Sequence, residues 1–92
     1  MKRETLIEIL RSHEELSEKN GVFKTSDAID LTVYLGKPGG SLTVPRVVLV
    51  EPGASFVRVV TGKEETYYAE PSQVRAILCA PRSPASRKAG FG

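Results

Sequence analysis

The side chains best suited to chemistry are aromatic and basic. Tyr34, Phe56, Tyr67 and Tyr68 fall on stretches with the alternation of β-strands, and Lys37, Arg46, Arg58 and Arg75 lie among them. Aromatic faces on strands stack unpaired nucleic-acid bases, and nearby cations attract the phosphates between them. The plainer use of the same residues is packing, with Phe56 and one tyrosine serving the core or a subunit contact.

Nucleophilic, metal and phosphate-cradling chemistry finds no support. The chain has no CxxC pair, no HxxxH, no phosphate loop and no GxSxG. His13 is the only histidine, and no second ligand or nucleophile lies near it in sequence. It reads as the edge of a helix's apolar stripe. Gly36-Lys-Pro-Gly-Gly40 holds a lysine among glycines, but it lies between two strands. It therefore lacks the helix N-terminus that would hold a phosphate. Glu64 and Glu65 sit beside Lys63 in another turn, as a solvated surface would have them. Cys79 reads as a small buried apolar residue. The expectation is a protein that is not an enzyme and uses no metal or cofactor.

Composition narrows the class further. The chain has 92 residues, 40% hydrophobic and 26% charged, as expected of one globular domain with a modest core that would gain from oligomerisation. No apolar run approaches the roughly 20 residues of a membrane span. Glu4 and Glu8 interrupt the apolar stretch that a secretory signal would need, and a lone Cys79 suits a reducing compartment. The expected location is cytoplasmic. The net charge of +2 comes from the tail, since Arg82, Arg87 and Lys88 have no acid beside them. The body is near neutral, whereas dedicated nucleic-acid binders usually show a basic excess.

These residues need elements to position them. Leu6, Ile9, Leu10, His13 and Leu16 recur at spacings of three and four, which predicts an amphipathic helix over 3–19 ending at Asn20-Gly21. Residues 22–28 read as a connector, with Thr25-Ser-Asp27 ordered by side-chain bonds to the backbone. Ile29, Leu31, Val33 and Leu35 alternate with Asp30, Thr32 and Tyr34, the pattern of a half-buried antiparallel strand. A second strand runs from Ser41 to Glu51, and Pro45 inside it demands a bulge, a bend or an edge. A third strand, Ser55 to Thr61, places Phe56, Arg58 and Val60 on one face. A fourth spans Glu65 to Glu70. Pro71-Ser72-Gln73 makes one 3₁₀ turn, and Val74 to Cys79 forms the last strand. The fold class is mostly β: an N-terminal helix, then a strongly bent five-stranded antiparallel small barrel, Sm-like or SH3-like. Residues 1–80 form the domain, and 81–92, rich in Pro, Ser, Gly and Ala, read as a flexible tail.

This order of elements resembles the Sm-like family, most of all its bacterial branch, the Hfq-type RNA chaperones. The likeness covers about residues 3–80. It rests on Val33-Tyr34-Leu35 followed by a glycine turn and Leu42, on Phe56-Val57-Arg58-Val59, and on the rhythm of Tyr67 to Leu78. The resemblance implies a ring of identical subunits, often six, joined through the fourth and fifth strands of neighbours. It implies single-stranded RNA bound on a face or in the pore. An aromatic at the position of Phe56 stacks uracil in such rings, and the Tyr34 equivalent helps line the opposite face.

The chain also departs from that family. A basic Lys-His pair between the last two strands is replaced by Pro71-Ser72, with Glu70 before it, which removes cations that would attract phosphate. The small glycine usual after the leucine of the second strand is absent, with Thr43, Val44 and Pro45 in its place. The RNA-binding set expected from the resemblance and the residue pattern is Tyr34, Phe56, Lys37 and Arg58. The alternative is an SH3-like module for protein interaction or assembly that binds no RNA, with the helix as its contact.

Overall fold

The computed structural model describes residues 1–37 and 40–82, Lys37 in its backbone only. Among the described residues one helix, α1 (Arg3–Ser12), precedes seven strands: β1 (Leu16–Lys19), β2 (Val22–Thr25), β3 (Ile29–Lys37), β4 (Gly40–Pro52), β5 (Val57–Thr61), β6 (Thr66–Ala69) and β7 (Val74–Pro81). A 3₁₀ turn, Pro71–Gln73, links the last two. The five expected strands are all present as β3 to β7.

The helix is shorter than expected, and its second half is a strand. Leu6 and Leu10 are fully buried, but Ile9 is exposed and the helix ends at Ser12. There the Ser12 hydroxyl donates to the Ile9 carbonyl at 2.7 Å, a local bond that competes with continuation. His13 caps the helix in extended geometry, and its Nδ1 accepts the Glu15 N–H at 3.2 Å. Leu16 opens β1, which pairs antiparallel with β2 through Asn20 (φ 55) and Gly21 (φ 79). Two consecutive left-handed residues are the requirement of a tight type I′ hairpin, and Asn-Gly is the pair that best meets it. The same two residues that suggest a helix stop thus make a hairpin turn. Residues 22–25 are no connector either, because β2 sends Phe23 into the core at 2% exposure. The Thr25–Asp27 turn is ordered as expected: the Ser26 hydroxyl donates to Glu15 Oε1 at 2.6 Å and accepts the Ala28 N–H at 3.1 Å.

β4 is the spine. Its first half pairs with β3, from Lys37↔Gly40 to Leu31↔Val47. Its second half pairs with β5 on one edge and β2 on the other. Between Val44 and Val47 the strand carries one extra residue against β3, at Pro45 and Arg46, with Arg46 at φ 56. A second extra residue, Val48, falls against β5. These are β-bulges, and each bends and twists the strand. The bend expected at Pro45 is observed.

The inner faces meet in one core. Leu6 and Leu10 of α1 pack with Phe23, Leu31, Val33, Val44, Val47, Val50, Val57, Val59 and Val74. The curled sheet forms a half-barrel that does not close. Among the described residues, β6 pairs only with β5, and β7 only with β3. β7 extends to Pro81, opposite Ile29, and the Arg82 side chain donates to Asp30 Oδ1 at 2.8 and 3.0 Å. Ordered structure thus reaches two residues into the expected tail, whose remainder, 83–92, lies outside the described residues. So does the tip of the glycine turn, Pro38 and Gly39.

Phe23→Ala should cost about 3–5 kcal/mol of folding free energy. Urea denaturation measures this directly, and a loss below about 1 kcal/mol would return residues 22–25 to the role of a connector.

Candidate nucleic-acid interface

The turn before β5 positions Phe56. The Gly53 N–H donates to the Phe56 carbonyl at 2.7 Å, and Arg3 Nε of α1 donates to the Gly53 carbonyl at 2.7 Å. A side chain at position 53 would meet the Phe56 carbonyl at 2.9 Å, so glycine is the residue that lets this turn close. The closed turn leaves Phe56 48% exposed at the head of β5.

There it meets Tyr68 of β6. The two rings lie edge to face, with centroids 5.6 Å apart and planes at 70°, a favoured aromatic geometry. Tyr68 is 65% exposed, so the pair presents aromatic surface to solvent. Arg58 stands directly opposite Tyr68 across the β5–β6 ladder and opposite Glu51 across β4–β5. Its Nε and Nη2 both donate to Glu51 Oε1, at 2.9 and 2.7 Å. The ion pair is partly exposed, so it orients the guanidinium more than it stabilises the fold.

The expected site is therefore split. Phe56 and Arg58 share the outer face of β5–β6. Tyr34 lies on β3, flanked by Thr43 of β4 and Ala76 of β7, on the outer face of the other half of the sheet. Lys37 ends β3 opposite Gly40, and its side chain lies outside the described residues. Arg75 occupies an extra residue in β7 and lies over Gly36, where a Cβ would meet its Cγ at 2.7 Å. Arg46, at the bend of β4, lines a surface depression with Thr61, Lys63, Glu65 and Tyr67.

Sequence reasoning left two partners out of the site, Tyr68 as the ring against Phe56 and Glu51 as the carboxylate holding Arg58. Alternation does mark both as outward residues of neighbouring strands. Their pairing depends on register, which the bulge at Val48 resets.

Cys79 lies on β7 opposite Leu31, half-buried, and burial pushes its thiol above the ordinary range. Among the described residues no three His, Cys, Asp or Glu side chains gather to hold a metal ion. No described helix is long and apolar enough to cross a membrane.

The raised thiol carries less thiolate at neutral pH. Alkylation of Cys79 at pH 7 should run several-fold slower than that of a free cysteine peptide and catch up only in alkali. Equal rates at pH 7, read by mass spectrometry, would contradict the burial.

Comparison of the chain with protein-family models, with curated proteins and with solved structures found no match.

Proposed function

We propose that this protein assembles into a ring of identical Sm-like subunits, in the manner of the Hfq-type chaperones, and binds single-stranded RNA by base stacking. The observation that carries the RNA reading is the Phe56–Tyr68 pair, two exposed rings set edge to face, with Arg58 opposite Tyr68 in the strand register. Hydrophobic rings of this size are ordinarily buried, and an exposed pair beside a cation is suited to unpaired bases. Tyr34 offers a second, smaller contact strip on the other half of the sheet. No catalytic step, metal or cofactor enters this reading, and the lone thiol of Cys79 suits a cytoplasmic setting.

Assembly is supported by two of the unpaired edges among the described residues. β7 offers eight residues of strand with Leu78 47% exposed, and the short β6 borders a cleft of about 110 Å³ between Leu42 and Tyr67–Tyr68. Long apolar edges invite pairing with another chain, and a head-to-tail contact of one edge with the other generates a ring when the rotation closes. A second reading keeps this assembly and drops the RNA. It draws on Arg58, whose charge Glu51 already offsets, and makes the chain an interaction module.

Phe56→Ala should weaken binding to a short U-rich RNA by about 1–3 kcal/mol, Tyr34→Ala by less, and neither should change the assembly. Light scattering should give a mass several times that of one chain. A monomer removes the ring, and a wild-type protein that binds no RNA at low salt leaves the interaction module.

A further inference from the structure

The hairpin that replaces the end of the helix extends the outer face on which Phe56 and Tyr68 sit. Strand register aligns that face in two rows across five strands. One row runs Ser17–Lys24–Leu49–Val60–Thr66, each residue opposite the next. The other joins Glu51–Arg58–Tyr68 to Lys19–Val22, since Val22 precedes Phe23, which pairs with Val50. None of these ten residues is buried, while the inner row between them, Phe23, Val50 and Val59, is fully enclosed. The result is a continuous open sheet, aromatic at the β6 end, apolar at Leu49 and Val60, and basic at the β1–β2 end.

Charge favours a polyanion on this face. The chain has 13 basic and 11 acidic side chains, and Arg87 and Lys88 follow residue 82, so the eleven bases before that point match the eleven acids. The two rows nonetheless hold Lys19, Lys24 and Arg58 against the single acid Glu51. Among the described residues neither lysine has a carboxylate within 4.0 Å. The neighbouring acid Glu18 lies on the opposite face of β1, bonded to Arg11 of the helix at 2.9 Å. Neutrality over the whole body therefore conceals a segregated surface.

We infer that single-stranded RNA stacked on Phe56 and Tyr68 continues across this sheet onto the hairpin, where Lys19 and Lys24 bind its phosphates. This rests on the RNA reading above and adds its direction and its cations. With strands about 4.8 Å apart, Lys24 stands about 14 Å and Lys19 about 19 Å from the β6 ladder. Those distances fall within the several nucleotides that a single-strand-binding module engages. The hairpin lysines thereby supply the phosphate attraction that Glu70, Pro71 and Ser72 do not.

The test is a salt titration of binding to a short oligouridylate by wild-type protein, Phe56→Ala and the double variant Lys19→Ala/Lys24→Ala. Both lysines are exposed, and urea denaturation checks that the double variant stays folded. Each phosphate contact contributes about 0.7 to the slope of log K against log salt for single strands. The double variant should bind several-fold more weakly at low salt with a slope shallower by about 1.4. Phe56→Ala should weaken binding with its slope unchanged. An unchanged slope in the double variant, with Phe56→Ala still impaired, overturns the path over the hairpin and leaves the stacking site standing. Absence of wild-type binding overturns both.

Discussion

One bent strand serves both halves of this fold. β4 spans thirteen residues and pairs with three other strands, which a flat strand could not do without leaving its apolar face uncovered. Pro45 has no N–H to place in a ladder, and Arg46 takes a left-handed conformation costing about 1–2 kcal/mol for a residue with a Cβ. Both sit where the strand turns the corner. The buried valines of β4 record the consequence. Val44, Val47 and Val50 recur every third residue instead of every second, because each bulge inserts one residue between core positions. With strict alternation from Val44, Arg46 and Val48 would face the core and Val47 would turn outward, so the paired insertions are what seat Val47 inside while returning Val50 to the same face.

Much of this was legible in the residues. The alternation of Ile29 to Leu35 marks the buried side of β3 correctly, as does that of Val57 and Val59 in β5. Pro45 announces a break in β4, and Pro71 a 3₁₀ turn. The region 13–25 was not legible as a helix stripe, although Leu6, Leu10 and Leu16 fit one. Leu16 returns to the core from a strand, and the three-and-four spacing that includes it is a coincidence of two elements. Asn20-Gly21 fits a helix cap and a type I′ turn equally well by residue type. The decision falls to Phe23, whose burial requires β2 to stand beside β4. The site was legible as a list of residues and not as an arrangement. Phe56, Arg58 and Tyr34 all face outward, but the curl of the sheet separates Tyr34 from the other two.

The proposed binding surface is what the curl leaves exposed. Closing the core on one side of β5 and β6 forces Arg58 and Tyr68 to the other, and the Gly53 turn adds Phe56 to them. The Glu51–Arg58 pair fixes the guanidinium on the same outer face, drawn toward β4. The hairpin serves the fold and the surface together, since Phe23 fills the core while Lys24 and Lys19 reach the outer face. With eleven bases and eleven acids over residues 1–82, the chain concentrates cations on this sheet by placing most of its acids on the helix and turns.

The proposed RNA path lies on the outer face of the β1–β2–β4–β5–β6 sheet. Photocrosslinking of an oligonucleotide carrying 4-thiouridine, followed by mass-spectrometric mapping of the attached residues, tests it most directly. Crosslinks concentrated at Phe56 and Tyr68, with further sites on the hairpin, are expected. Crosslinks confined to the strip around Tyr34 and Ala76, or none above a non-binding control, would contradict it.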